Sequence, residues 1–162
     1  ALYDVGCYCV NLSRMLFGAE PRRVEASIER DPVTGVDVLT SGLLEFDAGS
    51  ATFGCSIRAE PDQRVHVYGT HGRISVPIPF NIPPSLPTEV HLTAGGDPPV
   101  APATEVLRFA PADAYTAEAE AFAAAVLDGR PLPTPPTDAV ANVAVIERLV
   151  EAAARSHEAI SV

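Results

Sequence analysis

Apolar and polar residues alternate along this chain with a period that changes twice. Val5, Cys9, Leu12 and Leu16 recur at helical spacing and predict an amphipathic opening helix, which Gly18 ends. Beyond it, apolar residues recur at every second position, a pattern typical of half-buried strands. The predicted strands span residues 24–28, 36–46, 51–57, 64–68, 74–76, 90–93 and 106–109.

Turn-forming residues separate the predicted strands. The short connection at residues 47–50 predicts a hairpin, and hairpins imply a largely antiparallel sheet. Residues 77–87 are dense in proline, and residues 95–102 are composed mainly of glycine, proline and alanine. Because such sequences do not form central strands, both segments are predicted to be surface loops.

Two helices are predicted to close the chain. Thr116 is the predicted N-cap of the first, and Thr137 that of the second. The apolar face predicted for the first helix consists of Ala119, Phe122, Ala123, Val126 and Leu127. The face predicted for the second consists of Val143, Ile146, Val150 and Ala153. This helix is predicted to fade near Ser156, and a short edge strand is expected at residues 160–162.

The order of helix, strands and helices predicts an α+β fold, with a large, mostly antiparallel, open-faced sheet and helices packed on one face. Residues 36–46 place apolar side chains on both faces of that sheet. We therefore expect the uncovered face to bind a second copy of the chain and form a homo-oligomer. Residues 1–162 are predicted to be a single domain.

Composition excludes several classes of function. The chain has 162 residues and a formal net charge of −10, and its eleven basic residues are all arginines. A surface of this charge repels polyanions, so no nucleic-acid partner is expected. No apolar run approaches the roughly 18 residues of a membrane span, so we expect no membrane partner and a cytoplasmic location.

No metal site is expected. Cys7 and Cys9 point to different faces of a helix, and no second cluster completes a zinc site with Cys55. We interpret these cysteines as small buried residues in a reducing compartment. The histidines lack partners at metal-ligand spacing and are interpreted as structural or solvent-facing. They are His66, His71, His91 and His157.

Three polar side chains share one face of the opening helix. Asp4, Tyr8 and Asn11 are spaced i, i+4 and i+7, beside the apolar stripe. A carboxylate, a phenol and an amide in this arrangement are suited to line a binding site. The spacing also permits a structural interpretation, in which Asp4 interacts with the helix dipole and Tyr8 is a packing aromatic.

Four segments, in this order and spacing, resemble the C-terminal domain of the glucose-fructose oxidoreductase, inositol dehydrogenase and rhizopine-catabolism family (Gfo/Idh/MocA). The resemblance covers nearly the whole chain. The segments are Asp4 to Tyr8 with Asn11, Arg14 and Pro21; residues 67–74 with Pro79-Phe80; Tyr115-x-x-Glu118-x-x-x-Phe122 with residues 129–133; and Asp138-Ala139-x-x-Asn142 to Ile146.

The resemblance implies part of an NAD(P)-dependent oxidoreductase that acts on a small molecule, namely a sugar, polyol or cyclic diol. The family's N-terminal Rossmann domain and its catalytic lysine, in a Glu-Lys-Pro motif, are absent from this chain. We therefore expect the chain to be the substrate-binding and oligomerisation domain, inactive alone, with NAD or NADP bound mainly by the missing domain.

By the same resemblance, Asp4 matches an acidic position beside the substrate hydroxyls, and Tyr8 matches a position that is histidine or tyrosine in the family. Both are predicted to be catalytic. The tyrosine form is similar to the branch of glucose-fructose oxidoreductase, xylose dehydrogenase and dihydrodiol dehydrogenase. Asn11, at a position that is aspartate in several histidine-type members, Arg14 and Phe80 are predicted to bind substrate.

Two alternatives remain open at this point. The Arg14 guanidinium could instead pair with Glu20 or with another acid. The whole chain could also be a stand-alone binding or assembly module that keeps the fold without the chemistry.

If the chain is part of an enzyme, the Tyr8 phenol needs a nearby cation to act as a base, because a phenol ordinarily has a pKa of ~10. The missing lysine would supply that cation.

Overall fold

The computed structural model describes residues 1–95 and 103–158, the side chains of residues 156–158 excepted. A π-helical turn, Leu2–Gly6, precedes the first of three α-helices, which are α1 (Cys7–Phe17), α2 (Ala114–Asp128) and α3 (Pro136–Glu158). The strands are β1 (Arg23–Arg30), β2 (Asp37–Phe46), β3 (Gly49–Ser56), β4 (Val65–Gly69), β5 (Gly72–Val76), β6 (Thr88–Ala94) and β7 (Thr104–Phe109).

The elements form two compact units. Ala1–Glu60 and Thr134–Val162 make the first, and Pro61–Pro133 make the second. The first unit holds an antiparallel sheet in the order β1-β2-β3, and the second an antiparallel sheet in the order β4-β5-β6-β7. The predicted α+β class and the antiparallel strands are confirmed, with the strands divided between two sheets.

In the first unit, α3 and the opening helix cover one face of the sheet. Alternate residues of β1 and β2 point into this core, because successive side chains of a strand face opposite sides. Phe17 of α1 stacks on Phe46 of β2 with ring centroids 4.2 Å apart. The core consists of Leu2, Val10, Val24, Ala26, Ile28, Leu44, Phe46, Val145, Ile146, Leu149, Ala152 and Ala153.

The outer face of this sheet is mainly polar. Leu39 and Leu43 of β2 lie on it, and their partners across β1 are Glu29 and Glu25. Leu39 is exposed and Leu43 is half-buried. β2 therefore carries apolar side chains on both faces, as predicted, but on the outer face only Leu39 and Leu43 are apolar.

The apolar stripe predicted for the opening helix is wrong. Leu16 is exposed and Val5, Cys9 and Leu12 are only half-buried, whereas the buried positions are Leu2, Gly6, Val10, Ser13 and Arg14. A Cβ on Gly6 would lie 2.9 Å from Cys55 Sγ, so only glycine permits this close approach to the sheet. The inward face thus combines small and polar residues, which a hydrophobicity pattern does not identify.

The predicted start and apolar face of α2 are also wrong. Its N-cap is Asp113, which accepts hydrogen bonds from the Tyr115 N–H and the Thr116 hydroxyl. Asp113 is the better cap because its carboxylate takes both donors. The predicted face is not buried, since Phe122 is 61% exposed and Leu127 is 82% exposed. Gly129 ends α2 in the left-handed conformation, as Gly18 ends α1.

The predicted cap and face of α3 need correction. The helix begins at Pro136, a residue suited to the first helical position, so Thr137 lies inside it. Ile146 and Ala153 are buried as predicted, but Val143 is exposed. The buried face is Asn142, Val145, Ile146, Leu149, Ala152 and Ala153. The strand expected at residues 160–162, and most of the loop at 95–102, lie outside the described residues.

In the second unit, apolar side chains cluster on one face of the sheet. Val67 pairs with Ile74, and Ile74 pairs with Leu92. A depression of about 760 Å³ lies beside them, lined also by Arg73 and Glu105. Among the described residues, no helix has the length and apolarity needed to cross a bilayer.

We predict that Leu149→Ala lowers the free energy of unfolding by about 2–5 kcal/mol, because it leaves a cavity at a fully buried position. Urea denaturation measures this change. The matched control is Leu16→Ala at a position that is 50% exposed, where the change should stay within about 0.5 kcal/mol. Equal losses for the two variants would contradict the assignment of the core.

Asp31 forms the turn after β1 through its side chain. Its Oδ1 accepts hydrogen bonds from the N–H groups of Val33 and Thr34, and its Oδ2 pairs with Arg58. The hydrogen bond from the Thr34 N–H has the largest effect on the Asp31 carboxyl, followed by the Arg58 guanidinium. Together they hold the pKa of this carboxyl well below its ordinary range. Its ionised form is therefore the one that the fold favours.

Because this pKa is lowered in the folded state, the stabilisation is present above the ordinary carboxyl value near 3.8 and is lost as pH falls below it. Asp31→Asn keeps an acceptor oxygen for the turn but removes the charge. We expect the free energy of unfolding of this variant to fall less steeply between about pH 5 and pH 2 than that of the wild type. Parallel pH profiles in urea titrations would refute this.

Candidate functional site

A π-helical turn opens the helix that carries most of the candidate residues. The Ala1 carbonyl accepts hydrogen bonds from the N–H groups of both Val5, at 2.9 Å, and Gly6, at 3.0 Å. The bond from Gly6 spans five residues and defines the π turn, a rare conformation that recurs at functional sites. Asp4 lies within this turn, and Tyr8 follows in the first turn of α1.

Asp4 and Tyr8 lie on the outward side of the opening helix. Leu2, Gly6 and Val10 face the sheet, whereas Asp4 is exposed and Tyr8 is 43% exposed. A π turn has more residues per turn than the 3.6 of an α-helix, so two residues four apart across it lie closer to one face. A carboxylate and a phenol are therefore both exposed, four positions apart on the opening helix.

Asn11 is half-buried and contacts α3. Its Nδ2 donates a hydrogen bond to Asp138 Oδ2 at 3.1 Å. Asp138 belongs to the first turn of α3, where a carboxylate also interacts favourably with the helix dipole. The amide of Asn11 thus joins two helices, and a contact of this residue with substrate stays a prediction.

Arg14 is buried between two carboxylates, being only 7% exposed. Its Nε lies 2.9 Å from one oxygen of Glu20, its Nη2 lies 2.6 Å from the other, and Nη2 also lies 2.9 Å from Asp138 Oδ1. The Arg14 hydrogen bonds hold the pKa of the Glu20 carboxyl below its ordinary value. The alternative pairing with Glu20 is confirmed, and it favours a scaffolding role for Arg14 over a substrate contact.

Phe80 lies in the second unit, in the proline-rich segment that follows β5. It is half-buried, and its N–H donates to Gln63 Oε1 at 3.1 Å. The next residue, Asn81, has φ +46°, and its Oδ1 accepts from the Tyr115 hydroxyl at 3.2 Å. These contacts order the segment around Phe80, whose role in binding stays a prediction.

The cysteines and histidines whose side chains the structure describes show no arrangement for chemistry. Burial raises the pKa of the Cys55 thiol to about 11 and also raises the pKa values of Cys7 and Cys9, so the nucleophilic thiolate is disfavoured at all three. His91 contacts Glu89, with Nε2 and Oε2 3.0 Å apart. Within residues 1–95 and 103–155, no three potential metal ligands converge.

Sequence reasoning missed the part that Asp138 and Asn142 play at this site. Asn142 Nδ2 donates to the Cys7 carbonyl at 3.2 Å, at the junction of the π turn and α1. Asp138 accepts from Asn11 and Arg14. The available signal is a pair of polar residues four apart at the start of α3, one of them on its otherwise apolar buried face.

The sequence of this chain matches a known protein family. Residues 1–75 match the model of the GFO/IDH/MocA C-terminal domain. An uncharacterized oxidoreductase of Rhizobium meliloti, ORF334, is 43% identical over 134 residues, which are 82% of this chain and 40% of that protein. D-xylose 1-dehydrogenase (NADP(+)) 2 of Haloferax volcanii is 36% identical over 159 residues, 98% of this chain and 46% of that protein.

The fold is shared with a solved structure. KijD10, a 3-ketoreductase from Actinomadura kijaniata in complex with NADP, superposes with a TM-score of 0.82 at 21% identity. The match covers 94% of this chain and 47% of that one. The chain thus spans less than half the length of these proteins. By sequence, the chain belongs to the Gfo/Idh/MocA family, as a C-terminal domain.

Proposed function

We propose that this chain is the substrate-binding and oligomerisation domain of an NAD(P)-dependent oxidoreductase that acts on a sugar, polyol or cyclic diol. One observation carries the proposal. Asp4 and Tyr8 are both exposed and lie four positions apart on the opening helix, in a chain that aligns over 98% of its length with a D-xylose dehydrogenase. A carboxylate and a phenol are groups that can orient an alcohol and exchange its proton.

In this proposal the nicotinamide, when bound, accepts or returns the hydride. The chain contains no glycine-rich nucleotide loop and no lysine, so both the nucleotide site and the cationic partner of the phenol lie outside it. The residues of this chain act on the substrate side. The Asp4 carboxylate accepts a hydrogen bond from a substrate hydroxyl and fixes its orientation, and the Tyr8 oxygen exchanges the proton of the reacting hydroxyl.

The remaining candidates are assigned supporting roles. The side-chain carbonyl oxygen of Asn11 accepts a hydrogen bond from the substrate, while its Nδ2 binds Asp138. Arg14 fixes α1 through Glu20 and Asp138. We assign the reaction to the cytoplasm, because three free thiols suit a reducing compartment.

Tyr8→Phe tests the proposed proton transfer. In the protein that joins this chain to its nucleotide-binding domain, we expect the variant to lower kcat by at least about 10²-fold with little change in KM, because the proton acceptor is lost and the ring is kept. Reduction of NAD and of NADP is followed with a panel of pyranoses and cyclic diols.

The matched control is Tyr3→Phe, which removes a hydroxyl from an exposed tyrosine of the same π turn and should leave kcat unchanged. A Tyr8→Phe variant as active as the wild type would remove Tyr8 from the mechanism. A wild-type protein inactive with every alcohol and both cofactors would favour the alternative of a non-catalytic module.

Leu43→Arg tests the proposed oligomerisation through the outer face of the first sheet. Leu43 lies opposite Glu25 and Thr52 on that face. An arginine there can pair with Glu25 in the monomer and replaces one of the two leucines that this face offers for apolar contact between copies, so we expect a shift to monomer in size-exclusion chromatography with light scattering. The control is Val33→Arg, at a turn position that is 91% exposed. An unchanged mass for Leu43→Arg would exclude this face.

A further inference from the structure

Helix α3 holds the opening helix through two polar side chains one turn apart. Asp138 accepts from Asn11 Nδ2 at 3.1 Å and pairs with Arg14 Nη2 at 2.9 Å. Four residues later, Asn142 Nδ2 donates to the Cys7 carbonyl at 3.2 Å. Cys7, Asn11 and Arg14 lie on one face of α1. Asp138 and Asn142 likewise lie on one face of α3. The contacts therefore hold α1 on consecutive turns.

Asn142 is an unusual residue for the place that it occupies. It is only 9% exposed and shares the buried face of α3 with Val145 and Ile146. Its Oδ1 is buried and has no hydrogen-bond partner in the described part of the chain. An unpaired buried oxygen is unfavourable, so packing alone would favour an apolar side chain of the same size. The compensating feature is the bond from its Nδ2 to Cys7.

The hydrogen bond from Asn142 to Cys7 lies at the junction of the π turn and α1. Cys7 is the first residue of α1, directly after the π turn that contains Asp4 and directly before Tyr8. A π turn interrupts the regular hydrogen-bond ladder, so the rotation of α1 relative to Asp4 is less constrained there than within an uninterrupted α-helix. The hydrogen bond from Asn142 Nδ2 of α3 to the Cys7 carbonyl limits this rotation.

We infer that Asp138 and Asn142 are positioning residues that fix the rotation of α1 about its axis and thereby the direction of the Tyr8 side chain. Asp138 holds the middle of α1 through Asn11 and Arg14, and Asn142 holds its first turn through Cys7. A catalytic role of Tyr8 rests on the proposed function, whereas the ordering of α1 by Asp138 and Asn142 does not. The catalytic role and the ordering can therefore be tested separately.

The test uses Asn142→Leu, which keeps the γ-branched shape of the side chain and removes both the donor and the unpaired oxygen. In this chain, we expect amide hydrogen exchange at Cys7 to Asn11 to become at least about 10-fold faster relative to β1, with the urea midpoint unchanged or higher. The Tyr8 ring resonance, assigned with Tyr8→Phe, should shift. Asp138→Asn should shift the same resonance and accelerate exchange around Asn11.

The matched control is Arg148→Leu. Arg148 also joins α3 to the chain near α1, because it donates to the carbonyls of Pro21 at 2.9 Å and Arg22 at 3.2 Å, two residues that lie beyond the end of α1. This variant should lower the urea midpoint and leave both the Tyr8 resonance and the relative exchange unchanged. Exchange in Asn142→Leu that is unchanged, or uniformly faster in α1 and β1, would overturn the inference.

The same variants in the protein with its nucleotide-binding domain separate this inference from the proposed function. Misdirection of Tyr8 should lower kcat at least about 10-fold for Asn142→Leu with KM nearly unchanged, while Arg148→Leu keeps the wild-type kcat. A wild-type protein without turnover would refute the proposed function, and the exchange pattern would still decide the positioning role.

Discussion

The packing of α3 against β1 and the opening helix is the contact on which the rest of the first unit depends. Ile146 and Leu149 are almost completely buried there, together with Leu2 and Val10 of the opening helix. This core orients the opening helix, because Leu2, Gly6 and Val10 must face the sheet. Asp4 and Tyr8 are consequently presented outward. The location of the candidate site is thus a consequence of burial, and the polar contacts refine its orientation.

The fold class was accessible from sequence because strands and hairpins have local signals. Alternation of apolar residues identified the seven strands of the described residues, and the short connection after Phe46 identified a hairpin. Gly18 marked the end of the opening helix because only a residue tolerant of the left-handed region fits there. What alternation cannot encode is which strands share a sheet, and the seven strands divide between two.

The site was predictable only in part, since helix faces and pairings depend on distant residues. Gly6 and Ser13 occupy buried positions of the opening helix, and a hydrophobicity pattern assigns such residues to the surface. The carboxylate that binds Asn11 and Arg14 is 124 or more positions away along the chain. Spacing placed Asp4 and Tyr8 on one side of a helix. It could not show that Arg14 is buried between two acids or that Asn142 holds Cys7.

The central claim is that the opening helix forms the substrate side of a hydride-transfer site. The most direct measurement is a crystal structure of the protein that contains this chain and its nucleotide-binding domain, with NADP and a bound alcohol. The account predicts that the Asp4 carboxylate and the Tyr8 hydroxyl each lie within hydrogen-bond distance of substrate hydroxyls, on the side facing the nicotinamide. A substrate bound elsewhere, with Asp4 and Tyr8 facing solvent, would contradict it.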